Sequence, residues 1–149
     1  VLGVCLGSQV MARGAGAQNM IGTTPEFGWC EVELTAEGRA DPVLSQLPAR
    51  FPSFEWHSDT FTLPPGAVHL AGNGTAAVQC FRLGRAGYAT QFHFEASRAV
   101  VSEWTQLFPE ALEAQRPGFL ADHDAQAAEL GGLADTCGLA IARAWVALI

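Results

Sequence analysis

The 149-residue sequence contains no lysine, and its eight arginines face fifteen acidic residues for a formal net charge of −7. An acidic chain without a basic patch argues against nucleic acid and against anionic membrane surfaces as ligands. Cysteine is sparse. Cys5, Cys30, Cys80 and Cys137 lie far apart, without the paired spacing of a CxxC metal motif or the density of a small disulfide scaffold. They read as reduced thiols, which points to the cytoplasm. The one long apolar stretch, Leu133 to Ile149, is broken by Asp135 and Arg143 and is short for a bilayer span, and no leader segment is read. His57, His69 and His123 share no ligand spacing. No metal site is therefore expected, and the Trp and Phe residues read as packing, not as a cofactor box.

What remains is the composition of a globular chain, 49% hydrophobic and 15% charged, without repeats or low-complexity tracts. Residues 1–149 suffice for one domain with a real core, not two. Val1 to Val4 reads as a buried strand and Leu6 to Arg13 as the helix after it. Trp29 to Leu34 alternates like a half-exposed strand, and Phe51 to Trp56 is extended. Asp41-Pro42 has the N-cap and first-position chemistry of a short helix. Val68–Ala71, Ala77–Leu83 and Ala86–Phe92 read as short strands in antiparallel hairpins, with turns at Asn73-Gly74 and Gly84-Arg85. Arg98 to Leu107 reads as a helix ended near Pro109, and Pro117-Gly118 breaks the chain again. A final helix aligns Leu133, Cys137, Ala140, Ile141, Ala144, Trp145 and Leu148 on one face. The order predicts an α/β fold, a mixed sheet flanked by helices.

Three segments carry chemistry. In Gly3-Val4-Cys5-Leu6-Gly7-Ser8-Gln9, an apolar run enters a cysteine flanked by glycines. That is the requirement of a tight strand-to-helix turn with an exposed thiol at its tip. The helix start would favour thiolate, and the Leu6 N–H could donate to an oxyanion. Taken alone, Cys5 reads equally as a buried core thiol. In Gln91-Phe92-His93-Phe94-Glu95, a spacing of two puts His93 and Glu95 on one side of an extended segment, so the carboxylate can orient the imidazole. Alone, the pair is weak evidence, since a His near a Glu at a strand end is usually just a surface pair. The third segment, Glu55-Trp56-His57-Ser58-Asp59-Thr60-Phe61, sets polar groups between aromatics, or is an ordinary capped loop. Together the first two supply nucleophile, base and orienter.

In this order the segments resemble class I glutamine amidotransferases of the triad type. Gly3, Cys5, Gly7 and Gln9 fit that family's G-x-C-x-G-x-Q pattern, and Gln91 to Glu95 is similar to its QFHPE signature. Glu55 to Phe61, followed by Leu63-Pro64-Pro65-Gly66-Ala67, resembles the WHGDTF-x-LP-x-GA segment of a subgroup related to the glutaminase domain of GMP synthase. Glu26-Phe27-Gly28-Trp29 is similar to that subgroup's EIGW. The resemblance implies a flavodoxin-like class I glutamine amidotransferase domain. It further implies catalytic roles for Cys5, His93 and Glu95. Leu6, Gln9 and the backbone around His57 and Ser58 would hold the substrate.

The implied reaction is hydrolysis of the glutamine side-chain amide through a thioester. No metal or cofactor is needed, and ammonia passes to an acceptor, with a separate synthetase as the expected partner. A γ-glutamyl amidase using the same triad, and an inactive fragment or partner-binding module, are the alternatives. Two departures stand out. Phe94 replaces the family's proline, which should make the turn carrying Glu95 less rigid. The family also has strands and a glycine-rich loop before the elbow, the loop supplying a second oxyanion N–H. The expectation is a domain truncated at its N-terminus, at a cost of roughly 10²–10³ in rate for the lost donor and with an exposed sheet flank.

Overall fold

The computed structural model describes residues 1–149. In chain order the elements are β1 (Leu2–Val4), α1 (Leu6–Gly14), β2 (Asn19–Met20), β3 (Glu26–Leu34), α2 (Ala36–Ala40), β4 (Arg50–His57), β5 (Thr60–Phe61), β6 (Val68–Gly72), β7 (Cys80–Leu83) and β8 (Gly87–Thr90). The helical part follows as α3 (Arg98–Leu107), α4 (Pro109–Gln115), α5 (Phe119–Gln126) and α6 (Gly132–Leu148), with a π turn at Ala127–Gly131 joining the last two.

Six strands form one sheet in the order β1-β8-β7-β6-β3-β4. Only β1 and β8 are parallel, with Val4 opposite Thr90; every other neighbour is antiparallel. A separate ribbon pairs β2 with β5. The strand-to-helix turn at Cys5 therefore lies beside the end of β8, from which the chain runs on to His93. Antiparallel hairpins can be made with short turns, whereas the parallel pair spans most of the chain. Side chains on β7 and β8 alternate between two cores. Cys80 and Tyr88 join a large cluster under α6 with Val32, Leu34, Phe51 and Ile141. Phe81 and Ala89 join another with Ala12 of α1 and Phe61. A third, aromatic cluster seats Trp29 and Phe54 against Val101, Leu112 and Phe119 of the helical part.

The mixed sheet flanked by helices is as expected, with local differences. β1 is an edge strand, with Gly3 alone buried and Val1 81% exposed, instead of a buried one. Asp41 does not open a helix. Its carboxylate accepts from Val43 N–H at 2.9 Å, giving a turn, and is recruited by Arg82 Nε at 2.9 Å and Tyr88 OH at 2.9 Å. The helix falls earlier, at α2, capped by Thr35 Oγ1 accepting from Gly38 N–H at 2.9 Å. On α6 the expected apolar face packs on the core except Leu133, which is 44% exposed. The buried face centres on Ala134, Cys137, Gly138 and Ile141, because Gly138 lets the helix meet the Phe94 carbonyl.

Candidate active site

Cys5 has φ 49° and ψ −108°, and no other non-glycine residue has positive φ. Backbone held in a sparsely populated region costs on the order of 1–3 kcal/mol and persists only where the surroundings impose it. Here the Cys5 N–H is fixed to the Thr90 carbonyl at 2.8 Å, and the Cys5 carbonyl accepts from Ser8 N–H at 3.0 Å and Ser8 Oγ at 2.6 Å. Gly3 permits the close return of α1, since a Cβ there would lie 2.7 Å from the Gly7 carbonyl oxygen. Space is open around Gly7.

His93 stands where the chain leaves β8, tied to β4 by its N–H donating to the Phe54 carbonyl at 2.8 Å. Its Nδ1 lies 2.6 Å from Glu95 Oε1. The other ring nitrogen is thereby left free, and Cys5 lies close enough to act on the charge of the ring. Burial disfavours the imidazolium. Cys5 and the hydrogen-bonded, charged Glu95 outweigh it and push His93 up to about 10. The turn that carries Glu95 is supported by Phe94, whose side chain packs on the large core and whose carbonyl lies against Gly138. A methyl at Gly138 would overlap that carbonyl. Gly138→Ala is thus expected to cost about 1–3 kcal/mol, as overpacking does, and to disturb the His93–Glu95 contact. Chemical denaturation checks the first and an activity assay the second.

A cleft of about 200 Å³ opens on the thiol, lined by Cys5, Leu6, Gln9, Trp56, His57, Ser58 and Asp59. Leu6 is the first helical residue, so its N–H has no intrahelical acceptor; its side chain is 69% exposed. Gln9 is buried, and its Nε2 donates to the Asp59 carbonyl and to Gln91 Oε1, both at 3.3 Å. Ser58 is exposed on the rim. His57 reaches the cleft, but its ring faces inward. Nδ1 lies 2.9 Å from the Asp59 carbonyl, and Nε2 lies 3.2 Å from Glu26 and 3.3 Å from Glu55.

Of the seven expected residues, Cys5, Leu6, Gln9, His57 and Ser58 line the cleft, while His93 and Glu95 follow the end of β8, the strand beside the Cys5 turn. The structure adds contacts of residues that lie in the quoted motifs but have no role assigned there. Gln91 Nε2 donates to Cys5 Sγ at 3.7 Å, and the Trp56 carbonyl lies 3.8 Å from the same sulfur. Glu26, Glu55 and His57 form a buried cluster with ligand-type atoms within 4.8 Å of one another. Both nitrogens of His57 face acceptors, so a doubly protonated ring is the state that satisfies them. Burial opposes that charge, but the two carboxylates prevail and push His57 up to about 9. Burial pushes Glu55 up to about 7 despite His57.

These shifts share one sign. His57, His93 and Glu55 all hold their protons more tightly folded than at their ordinary values of 6.5, 6.5 and 4.5. Their contribution to stability is complete below pH 4.5. It declines for Glu55 as pH rises towards about 7, and for the histidines from 6.5 towards about 9 and 10. Melting temperature is expected to fall steadily between pH 7 and 10, which thermal unfolding in a buffer series measures.

A thiol on a strained turn and an imidazole–carboxylate pair beyond the end of the adjacent strand are the residue types of nucleophile, base and orienter. The class is a thiol-bearing α/β domain. Residues 1–104 match the family model for glutamine amidotransferase class-I, and the chain belongs to that family. It is 34% identical over 124 residues to a glutamine-hydrolyzing GMP synthase of Aeropyrum pernix, a match covering 79% of this chain and 23% of that protein. It is 33% identical over 102 residues to a subunit of the glutamine-hydrolyzing GMP synthase of Methanoculleus marisnigri, covering 67% of this chain and 54% of that one. The fold matches a glutamine amidotransferase from Thermotoga maritima with TM-score 0.80 at 28% identity, over 97% of this chain and 61% of that one. The chain spans about a quarter to just over half the length of these two curated relatives. No helix is long and apolar enough to cross a membrane.

Proposed function

We propose that this chain hydrolyses the side-chain amide of glutamine to glutamate and ammonia. The observation that carries the reading is the strained Cys5 turn opening on the cleft, with the His93–Glu95 pair, 2.6 Å apart, just beyond the end of the neighbouring strand β8. Cys5 Sγ attacks the amide carbon, and the oxyanion forms against the Leu6 N–H. His93, an imidazolium at neutral pH, gives its proton to the departing nitrogen as the carbon–nitrogen bond breaks. The neutral imidazole then takes a proton from water, which attacks the thioester; the thiolate leaves and glutamate is released. Glu95 holds the ring throughout. Gln9 and the backbone at His57 and Ser58 face the substrate's amino and carboxylate groups. Ammonia passes to a synthetase partner, a role consistent with relatives whose names make them one subunit of a GMP synthase.

Ammonia release from glutamine, compared with release from γ-glutamyl conjugates, tests the substrate. Preference for glutamine is expected. A substantial preference for the conjugates would replace the reading with that of a γ-glutamyl amidase.

A further inference from the structure

The ring of His57 points away from the thiol into a closed acidic pocket. Its partners follow from strand geometry. Glu26 on β3 is directly opposite His57 on β4, and Glu55 precedes His57 by two residues, so all three side chains share one face of the pair. All are buried, and Glu55 is 0% exposed, with both carboxylate oxygens lacking a hydrogen bond of good geometry. Glu26 is held independently, accepting from Asn73 Nδ2 at 2.6 Å and Gln79 Nε2 at 2.8 Å. The remaining ring nitrogen of His57 reaches the Asp59 carbonyl, the same oxygen that accepts from Gln9. A second cavity, lined by Glu26, Phe27, His57 and Arg116 among others, lies on the far side of the imidazole. His57 is thus the wall between the thiol cleft and this cavity.

We propose that Glu26, His57 and Glu55 form a brace that fixes the Trp56–Asp59 segment against Cys5 for glutamine binding, with His57 as its central positioning residue. The proposal rests on the glutaminase reading for what the segment binds, but not for how the brace is built. With its charge in place, the imidazolium donates from Nδ1 to the Asp59 carbonyl in front and is held from behind by charge, Nε2 lying 3.2 Å from Glu26 and 3.3 Å from Glu55 without a hydrogen bond of good geometry to either. Without the charge, one of those two holds is lost. The Asp59 carbonyl then rests on Gln9 alone, and the Trp56 carbonyl beside the sulfur loses its fixed position. The charged and titratable groups around the ring are Glu26 and Cys30 from β3, Glu55 from β4, and Arg116 beyond α4. His93 acts on Glu55 from the other side. The pocket's composition is also that of a metal site. A cation there would have to displace the Nε2 proton, which sets metal binding and the brace against each other.

The test uses the whole chain with labelled histidine. In the wild type, the nitrogen signals of His57 are expected to show an imidazolium at pH 7 that titrates near pH 9. The Glu26→Gln/Glu55→Gln double variant should move that midpoint down by at least one pH unit. His57→Gln, and the isosteric Glu55→Gln as a variant that keeps the pocket's volume, should raise KM for glutamine tenfold or more. The fall in kcat should be smaller, and a cooperative melting transition, with the buried Cys80 and Cys137 still protected from iodoacetamide, shows that each variant is folded. Rescue of KM by lowering pH in Glu55→Gln would support the brace further. A neutral His57 at pH 7, an unchanged KM in both variants, or tight binding of added Zn²⁺ by the three residues would overturn it. If the wild type releases no ammonia from glutamine, the functional reading falls and the titration alone decides the brace.

Discussion

Replacing Cys5 with serine is expected to abolish ammonia release from glutamine, a loss of roughly 10⁴-fold or more if the sulfur is the nucleophile. The size follows from the state of its partner. His93 is pushed up to about 10 and is an imidazolium at neutral pH. That ion is a good proton donor to a leaving nitrogen, and part of its hold on the proton comes from Cys5 itself and is lost in Cys5→Ser. A serine hydroxyl is also far less acidic than a thiol and a much weaker nucleophile without a strong base beside it. The fold should tolerate the change. The positive φ at residue 5 is imposed by the hydrogen bond from its N–H to Thr90 and by the return of α1 over Gly3, neither of which involves the sulfur. Unchanged melting with lost turnover is the expected pair of results, and an activity assay with thermal unfolding reads both. Retained turnover would remove Cys5 from the mechanism.

His93→Asn carries the second large effect, a loss of roughly 10³-fold or more in kcat/KM, since it removes both the proton donor and the later base. Asparagine preserves a polar side chain of similar reach, so the tie of residue 93 to the Phe54 carbonyl, made by the backbone, remains. Combined with Cys5→Ser it should cost little more than either alone, because groups that act as one unit are not additive. Glu95→Gln refines the argument. Its carboxylate and its hydrogen bond help hold His93 at about 10, alongside Cys5. Activity that needs the imidazolium is lost as pH rises through that value. With the charge removed, the alkaline limb of the pH–rate profile should move down towards the ordinary 6.5, more clearly than the rate at pH 6 falls. An alkaline limb that does not move would mean that Glu95 does not set the ring's charge.

How far the site could be read from sequence depended on the spacing of its parts. His93 and Glu95 are two residues apart, near enough in sequence for a contact to be expected, and the structure makes it at 2.6 Å across the turn that follows β8. The Cys5 turn is legible for a similar reason: strand, turn and helix start all lie within ten residues. Strand alternation relates Glu55 to His57, but Glu26, which completes the cluster, is reached only through the β3–β4 register. The Trp56 carbonyl beside the sulfur has no signature at all, since a main-chain oxygen is common to every residue. Asp41 fails in the opposite way. Its local capping chemistry is real, but Arg82 and Tyr88, forty or more positions away, compete for the same carboxylate and leave a turn in place of a helix. Leu133 keeps the helical period of its face yet lies outside the core, because the approach of Gly138 to Phe94 rotates the buried stripe. In each case tertiary partners override a local preference.

The cleft at Cys5, on this account, recognises glutamine and delivers its amide carbon to the sulfur. A diazoketone analogue of glutamine, followed by peptide mass spectrometry, tests this without depending on any ammonia acceptor. The account predicts a single adduct on Cys5, with Cys30, Cys80 and Cys137 unmodified and labelling suppressed by excess glutamine. Labelling spread over several cysteines, or an adduct on Cys5 that glutamine does not suppress, would contradict it.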